Sequence, residues 1–184
     1  MQNKDQLRKK FLKIRKNNYF EVQSNFFYPL VKFLKKIHKV KNLYLSLYYP
    51  ANYEVNILKL LEHSKLKNIK PLLPVVLKDK KMRFYKWNYK DVLLVNKFGI
   101  LEPRINSPHN IPQVMLVPLL AYNKEKFRLG YGKGYYDIFL SKYLKKNKNI
   151  TTIGIGFSFQ KCNNLPTLKH DIKMKYILTE KGLN

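Results

Sequence analysis

The feature that most constrains the fold is an apolar run that leads into a glycine-rich turn and then into a helical pattern. Residues 114–121 read Val-Met-Leu-Val-Pro-Leu-Leu-Ala, and residues 114–120 are apolar on both faces, as expected for a central parallel strand. Residues 128–137 read Arg-Leu-Gly-Tyr-Gly-Lys-Gly-Tyr-Tyr-Asp, and a helix-like pattern covers residues 136–143. A strand, a glycine turn and a helix start favour anion binding, because glycine lets backbone N–H groups approach a phosphate at the positive end of the helix.

Charged side chains in this turn match that chemistry. Lys133 and Arg128 could neutralise phosphate oxygens, and Asp137 could hold a hard cation such as Mg²⁺. The turn is not a Walker A loop, since Gly134 rather than Ser or Thr follows Lys133, and its glycine spacing is not that of the dinucleotide fingerprint. A tight turn with a charged tip is therefore the alternative interpretation.

Hydrophobic periodicity along the rest of the chain predicts alternating helices and strands. We expect helices at residues up to about 17, at 25–39 and at 55–66, and strands at 42–49, 71–77, 82–87, 151–157 and 176–179. Residues 99–113, which include three prolines, predict mostly loop. In the strand at 151–157, Gly154 and Gly156 would permit close approach of a ligand or another backbone. This order predicts a single three-layer α/β/α domain over residues 1–184 with a mainly parallel central sheet.

Composition excludes several classes of protein. A chain of 184 residues with 45% hydrophobic residues can support one substantial core and is too apolar for disorder. No apolar run approaches the roughly 20 residues that a membrane helix needs, and the single cysteine, Cys162, excludes an intrachain disulfide framework. The basic N-terminal segment is rich in lysine rather than arginine and contains Asp5, so we interpret it as part of the mature protein. We expect a cytoplasmic monomer without a membrane partner.

The charge is unusual, with 37 Lys and Arg residues against 11 Asp and Glu residues, a formal net charge of +26. One hypothesis is a basic RNA-binding protein that uses lysines on phosphates and tyrosines for stacking. The lysines are spread from Lys4 to Lys181 without a long basic block, and no standard RNA-binding signature is present. A solvated basic surface is therefore favoured over nucleic-acid binding, and its positive potential would also attract anionic substrates.

The segment 117–137 resembles the signature of the 5-formyltetrahydrofolate cyclo-ligase family, also called 5,10-methenyltetrahydrofolate synthetases. The family pattern is Val-Pro, an apolar pair, Ala-Phe-Asp and then Arg-Leu-Gly-x-Gly-x-Gly-Tyr-Tyr-Asp. Shorter segments resemble further family segments in the same order, so the resemblance covers essentially the whole chain; they are residues 4–8, 48–55, 82–87, 99–103, 153–160 and 170–171.

Three positions depart from the family pattern. Asn123 stands where the family has aspartate, Tyr131 stands where arginine is frequent, and Lys175 replaces the second aspartate near the C-terminus. These changes put details of metal and phosphate binding in doubt. They leave open a third hypothesis, a pseudo-enzyme that binds folate without turnover.

The resemblance implies an enzyme that uses ATP and Mg²⁺ to convert 5-formyltetrahydrofolate into 5,10-methenyltetrahydrofolate, with release of ADP and phosphate. The formyl oxygen would be phosphorylated, and N10 would then attack the formyl carbon. The implied partners are ATP and a reduced folate, possibly with a polyglutamate tail.

The resemblance also implies site residues. Lys133 and Arg128 would be catalytic, and Asp137 and Asp171 would bind the metal. The residues implied for ATP are Lys4, Arg8, Arg128, Leu129, Gly130, Tyr131, Gly132, Lys133, Gly134, Tyr135 and Tyr136. Those implied for the folate are Tyr49, Glu54, Tyr131, Gly132, Lys133, Gly134 and Tyr135.

Some of these residues have structural alternatives. Asp137 would also suit the start of a helix, where the dipole favours a carboxylate, and Asp171 could be a solvated loop residue. Trp87 is an aromatic candidate that fits a core position equally well, and His170 has no step that requires it. The four histidines and one cysteine form no convincing zinc-binding pattern.

Overall fold

The computed structural model describes residues 3–37, 42–63, 66, 69–146 and 149–184. Of the residues predicted to be helical, 1–2, 38–39 and 64–65 lie outside what it describes, as does the side chain of Ile37. The helices are α1 (Lys4–Asn18), α2 (Tyr28–Ile37) and α3 (Tyr135–Lys146). The strands are β1 (Leu43–Ser46), β2 (Ile69–Val76), β3 (Met82–Lys86), β4 (Leu93–Val95), β5 (Leu101–Pro103), β6 (Val114–Pro118), β7 (Ala121–Tyr122), β8 (Arg128–Leu129), β9 (Thr151–Ile155), β10 (Tyr176–Thr179) and β11 (Gly182–Leu183).

Seven strands form the main sheet in the order β11-β10-β9-β6-β1-β2-β3. The five inner strands are parallel, and the edge strands β3 and β11 are antiparallel. β6 lies between β1 and β9, so the apolar run is a central parallel strand, as predicted. Both faces of a mainly parallel sheet are usually buried under helices, and here α2 and α3 pack on opposite faces.

Alternate residues of β6 point to opposite layers. Val114 and Leu116 pack in the core with α2, whereas Met115 and Val117 pack with α3. The predicted three-layer α/β/α architecture is therefore confirmed. α1 packs through Leu7 and Phe11 against Leu120, Ala121, Leu129 and Leu165 in a third cluster, which brings it beside the glycine-rich turn. No helix in the described part of the chain is long and apolar enough to cross a membrane.

Two hairpins were missed by the sequence prediction. β4 and β5 form one hairpin, and β5 lies inside the stretch expected to be loop. β7 and β8 form the other, between β6 and the glycine-rich turn. Asparagine side chains organise both turns: Asn96 Oδ1 accepts from the N–H groups of Phe98 and Ile100 at 2.8 and 3.1 Å, and Asn123 Oδ1 accepts from Phe127 N at 2.9 Å.

Several predicted elements differ in extent or type. The segment expected to be helical at 55–66 forms a short 3₁₀ helix, Ile57–Glu62. A 3₁₀ turn, Ser24–Phe27, precedes α2, which places Pro29 in the first turn of α2, where its missing N–H costs little. β2 continues through Pro74, which lies two residues beyond the last β1 pair, Ser46 with Leu72.

Gly154, in β9, and Gly156, just after β9, leave room for the side chains of neighbouring residues. A Cβ on Gly154 would lie 2.7 Å from Ile177 Cδ1, and one on Gly156 would lie 2.6 Å from Leu119 Cδ1. Close packing of the Ile177 and Leu119 side chains therefore explains both glycines.

Candidate active site

The residues predicted to bind ATP, folate and metal line one cavity of about 1150 Å³. It lies beyond the carboxyl ends of β1 and β6, where α/β proteins bind their ligands. β1 leads to Tyr49 and Glu54, β6 leads through the β7–β8 hairpin to the glycine-rich turn, and residues 168–172 close a further side. The predicted residues in the lining are Lys4, Arg8, Tyr49, Glu54, Arg128, Leu129, Gly130, Tyr131, Gly132, Lys133, Gly134, Tyr135, Tyr136, Asp137 and Asp171.

The glycine-rich turn has a conformation that only glycine adopts readily at two positions. Gly132 has a φ of +89° and Gly134 a φ of +76°, both in the left-handed region. A Cβ on Gly132 would also lie 2.9 Å from Arg8 Cζ, and Arg8 Nε donates to Gly130 O at 3.0 Å. The turn therefore combines an unusual backbone with close approach of an arginine from α1.

Lys133 stands at the tip of this turn and is exposed to the cavity. Among the residues that the structure describes, it makes no hydrogen bond or ion pair. α3 begins two residues later, at Tyr135, so its N-terminal N–H groups also lie beside the cavity. A free ammonium group and a helix N-terminus together suit an anion.

Arg128 and Asp137 form an ion pair at the base of the turn. Arg128 Nη1 donates to Asp137 Oδ1 at 3.1 Å, and the Arg128 side chain is only 4% exposed. The guanidinium lies 5.8 Å from the ring centroid of Tyr136, and Ile172 N donates to Asp137 Oδ1 at 3.3 Å. Tyr136 and Arg128 therefore form the floor of the turn, with Asp137 in the first turn of α3.

Asp171 is paired with Lys4, whose Nζ lies 2.5 Å from Oδ2. Lys4 is the first residue of α1, which begins at a capping box between Asn3 and Gln6. Burial raises the pKa of Asp171, but hydrogen bonds from Lys4 and from Leu168 N more than offset it, so the pKa is lowered overall. The carboxylate is therefore ionised at neutral pH.

Glu54 is a buried carboxyl group, 7% exposed, at the wall of the cavity. Its Oε2 accepts from Ala51 N at 3.0 Å. Burial raises the pKa of Glu54 to about 7, although the Arg15 charge, the Ala51 N–H and the Tyr131 hydroxyl lower it in part. Tyr49 is half-buried beside it and also lines a neighbouring cavity of about 310 Å³. Glu54 can thus accept hydrogen bonds from a flat polar ring lying in the cavity.

The structure adds residues that the sequence prediction did not select. Arg15 is buried beneath the turn, and its Nη2 donates to the Tyr131 hydroxyl. From the β4–β5 hairpin, Phe98 and Ile100 line the cavity, and the Phe98 ring centroid lies 6.1 Å from that of Tyr135. A sequence signal existed for Arg15, since it follows Arg8 by two helical turns. No comparable signal existed for the hairpin.

The remaining residues considered in the sequence do not all lie in the cavity. Trp87 is buried in the core, as its alternative interpretation held, and His170 lines the cavity. Asn123 caps the turn of the β7–β8 hairpin, and Lys175 N donates to Thr152 Oγ1 at 3.0 Å. Neither Asn123 nor Lys175 is part of the cavity lining, so these two departures from the family pattern lie outside the site.

The described residues contain no group of three or more His, Cys, Asp and Glu side chains that could hold a metal ion. The cavity lining does include the two aspartates predicted to bind metal, Asp137 and Asp171. Mg²⁺ usually binds through one or two carboxylates together with substrate phosphates and water, so this pair fits Mg²⁺ that arrives with a phosphate-bearing ligand.

The chain matches a known protein family over nearly its whole length. Residues 1–180 match the model of the 5-formyltetrahydrofolate cyclo-ligase family. The chain is similar to the 5-formyltetrahydrofolate cyclo-ligases of Haemophilus influenzae (29% identity over 140 residues, covering 73% of this chain and 74% of the relative) and Mycoplasma genitalium (34% over 132 residues, covering 71% and 68%).

Two solved structures share the fold over nearly the whole chain. The 5,10-methenyltetrahydrofolate synthetase of Aquifex aeolicus has a TM-score of 0.74 and 31% identity, covering 98% of this chain and 91% of that one. The synthetase of Mycoplasma pneumoniae has a TM-score of 0.74 and 26% identity, covering 97% and 99%.

Proposed function

Because the chain belongs to the 5-formyltetrahydrofolate cyclo-ligase family, we propose that it converts 5-formyltetrahydrofolate into 5,10-methenyltetrahydrofolate at the expense of ATP, releasing ADP and phosphate. The observation that carries this proposal is one cavity that contains both an anion-binding turn and a buried carboxyl group. The turn around Lys133 suits a triphosphate, and Glu54 suits the hydrogen-bond donors of a reduced pterin. Both ligands would then meet in a single space.

The chemistry explains why two ligands are needed. The formyl oxygen on N5 is amide-like and leaves poorly. Transfer of the γ-phosphoryl group of ATP to this oxygen gives a phosphate leaving group and ADP. N10 then attacks the formyl carbon and loses its proton, and the C–O bond breaks, so that the oxygen departs within inorganic phosphate and the methenyl bridge is closed.

Phosphoryl transfer requires aligned reactants and neutralised charge rather than covalent work by the protein. We assign the phosphate contacts to Lys133 and to the backbone N–H groups of the turn, beside the N-terminus of α3. Lys4 and Arg8 approach the same cavity from α1. Arg128, buried against Asp137, would add positive charge from below and hold Asp137 in place.

Asp137 and Asp171 would hold Mg²⁺, which would neutralise phosphate charge during transfer. Their present partners are Arg128 and Lys4, so metal binding would exchange an ion pair for a metal contact at each carboxylate. We place the folate on the opposite wall, with Tyr49 and Tyr135 against its flat rings and Glu54 on its polar edge.

Two observations favour turnover over a pseudo-enzyme. Asn123 and Lys175, which depart from the family pattern, lie outside the cavity lining, and the residues proposed to contact phosphate all lie inside it. The third departure, Tyr131, does line the cavity, and its hydroxyl accepts from the buried Arg15. The Arg15 guanidinium thus supplies a positive charge next to Tyr131, at the position where arginine is frequent in the family.

Purified protein supplied with ATP, Mg²⁺ and 5-formyltetrahydrofolate should generate the absorbance of 5,10-methenyltetrahydrofolate. Omission of ATP should abolish the signal, and chelation of Mg²⁺ should suppress it, because the phosphate charge would then be unneutralised. A protein that binds the folate by calorimetry but forms no product with both additions in excess would be a pseudo-enzyme.

A further inference from the structure

We propose that Arg15 is a positioning residue that holds the glycine-rich turn through the Tyr131 hydroxyl, in the cavity that Glu54 also lines, and that binding of reduced folate depends on this arrangement. This inference rests on the proposed function in one respect, since it takes Glu54 as a folate contact. It concerns a residue in the last turn of α1 to which the family resemblance assigns no role.

Arg15 is unusual for its position because it is 1% exposed, whereas the neighbouring Lys13 and Lys16 are exposed. Its Nη1 donates to Leu119 O at 3.1 Å, and its Nη2 donates to the Tyr131 hydroxyl. Its Nε has no hydrogen-bond partner among the described residues. Burial of an incompletely satisfied guanidinium costs several kcal/mol, so a positive charge at this place needs a reason beyond packing.

α1 holds the turn at two successive points. Arg8 Nε donates to Gly130 O at 3.0 Å, and Arg15 contacts the next residue, Tyr131, through its hydroxyl and with Cζ 5.6 Å from the ring centroid. The two arginines are two helical turns apart and share a face of α1. The position of the turn therefore depends on both side chains.

The same guanidinium acts on Glu54. The charged and titratable groups that influence Glu54 are Arg15 from α1, Tyr131 from the turn, Tyr48 from the end of β1 and Tyr136 from α3. Burial raises the pKa of each of the three tyrosines, so all of them are neutral near pH 7. Arg15 is then the cation of this set, and its charge favours the carboxylate form of Glu54.

The Tyr131 hydroxyl interacts with both Arg15 and Glu54. It accepts from Arg15 Nη2, and its interaction with the carboxyl group lowers the pKa of Glu54. Loss of either Arg15 or the hydroxyl should therefore raise the pKa of Glu54 above its present value of about 7. A larger fraction of Glu54 would be protonated at neutral pH, and the carboxylate would become available only at higher pH.

The test measures 5-formyltetrahydrofolate binding by calorimetry, without ATP, as a function of pH. In Arg15→Met, affinity at neutral pH should fall about tenfold, and the midpoint of the pH dependence should rise by about one unit, the shift equivalent to a tenfold change. Tyr131→Phe keeps the ring and should shift the midpoint in the same direction. Because both changes break one network, the double variant should lose less affinity than the sum of the single losses.

Two further variants separate positioning from general damage to α1. Arg15→Lys keeps the charge and should move the midpoint back toward that of the wild type. Lys16→Met removes an exposed cation from the adjacent position and should leave both affinity and midpoint unchanged. Wild-type affinity and midpoint in Tyr131→Phe would overturn the inference even if Arg15→Met does not fold.

The outcomes distinguish this inference from the proposed function. Wild-type protein that binds folate but yields no methenyl product contradicts the function and leaves the binding test intact. Wild-type protein that forms product, with Arg15→Met and Tyr131→Phe unchanged in their pH dependence, contradicts the inference alone.

Discussion

Replacement of Lys133 by alanine should lower the turnover number about 100-fold, a typical cost of removing one preorganised group that stabilises transition-state charge. Lys133 is exposed at the tip of the glycine-rich turn and has no hydrogen bond or ion pair among the described residues. Its removal should therefore leave the fold intact, since no hydrogen bond or ion pair among the described residues is lost. Steady-state kinetics with ATP and 5-formyltetrahydrofolate measure the effect, and thermal unfolding measures the stability.

Lys142→Ala is the matched control for this variant. Lys142 is an exposed lysine on α3, and it is not part of the cavity lining. It carries the same charge as Lys133, so its removal tests whether the loss is due to net charge alone. Equal rates for Lys133→Ala and the wild type would remove the phosphate role of Lys133, whereas equal losses in both variants would indicate general electrostatic attraction of ATP.

Gly132→Ala should be damaging, and Gly130→Ala should not. Gly132 has a φ of +89°, and an added Cβ would lie 2.9 Å from Arg8 Cζ. The left-handed conformation alone costs about 1–2 kcal/mol for an L-residue, and relief of the clash would displace Arg8 from Gly130 O. A displacement of about 1 Å at a reacting group can lower the rate about 100-fold, so we expect a loss of that order in kcat/KM for ATP.

Gly130 provides the control within the same turn. A Cβ at this position would meet no heavy atom within 4 Å, so Gly130→Ala should keep both the stability and most of the activity. Comparison of thermal unfolding and kcat/KM for the two variants isolates backbone conformation and the Arg8 contact from the loss of a glycine as such. Similar values for the two variants would contradict the geometry described for the turn.

Periodicity predicted the central part of the fold well for a physical reason. β6 is apolar on both faces because it is covered by α2 on one side and α3 on the other. A strand that is buried on both faces has a nearly continuous run of apolar residues, which can be recognised in the sequence. The glycine-rich turn and the start of α3 followed from local chemistry at residues 128–137. The family resemblance is confirmed by the match over residues 1–180.

Features that depend on distant contacts were not predictable in this way. The spacing of Arg15 from Arg8 indicates a shared face of α1 but not burial, because its partners, Leu119 and Tyr131, are 104 and 116 residues away. The two hairpins depend on hydrogen bonds from Asn96 and Asn123 side chains, which a propensity pattern does not reveal. The assignment of individual residues to ATP, folate and metal stays a prediction.

The fate of the formyl oxygen tests the central claim most directly, because the cavity is proposed to bring the γ-phosphoryl group of ATP to that atom. The measurement uses 5-formyltetrahydrofolate labelled with oxygen-18 in the formyl group and analyses the released phosphate by mass spectrometry. We predict that each phosphate released with methenyl product carries the label. Methenyl product formed together with unlabelled phosphate would contradict phosphorylation of the formyl oxygen and with it the arrangement proposed for the two ligands.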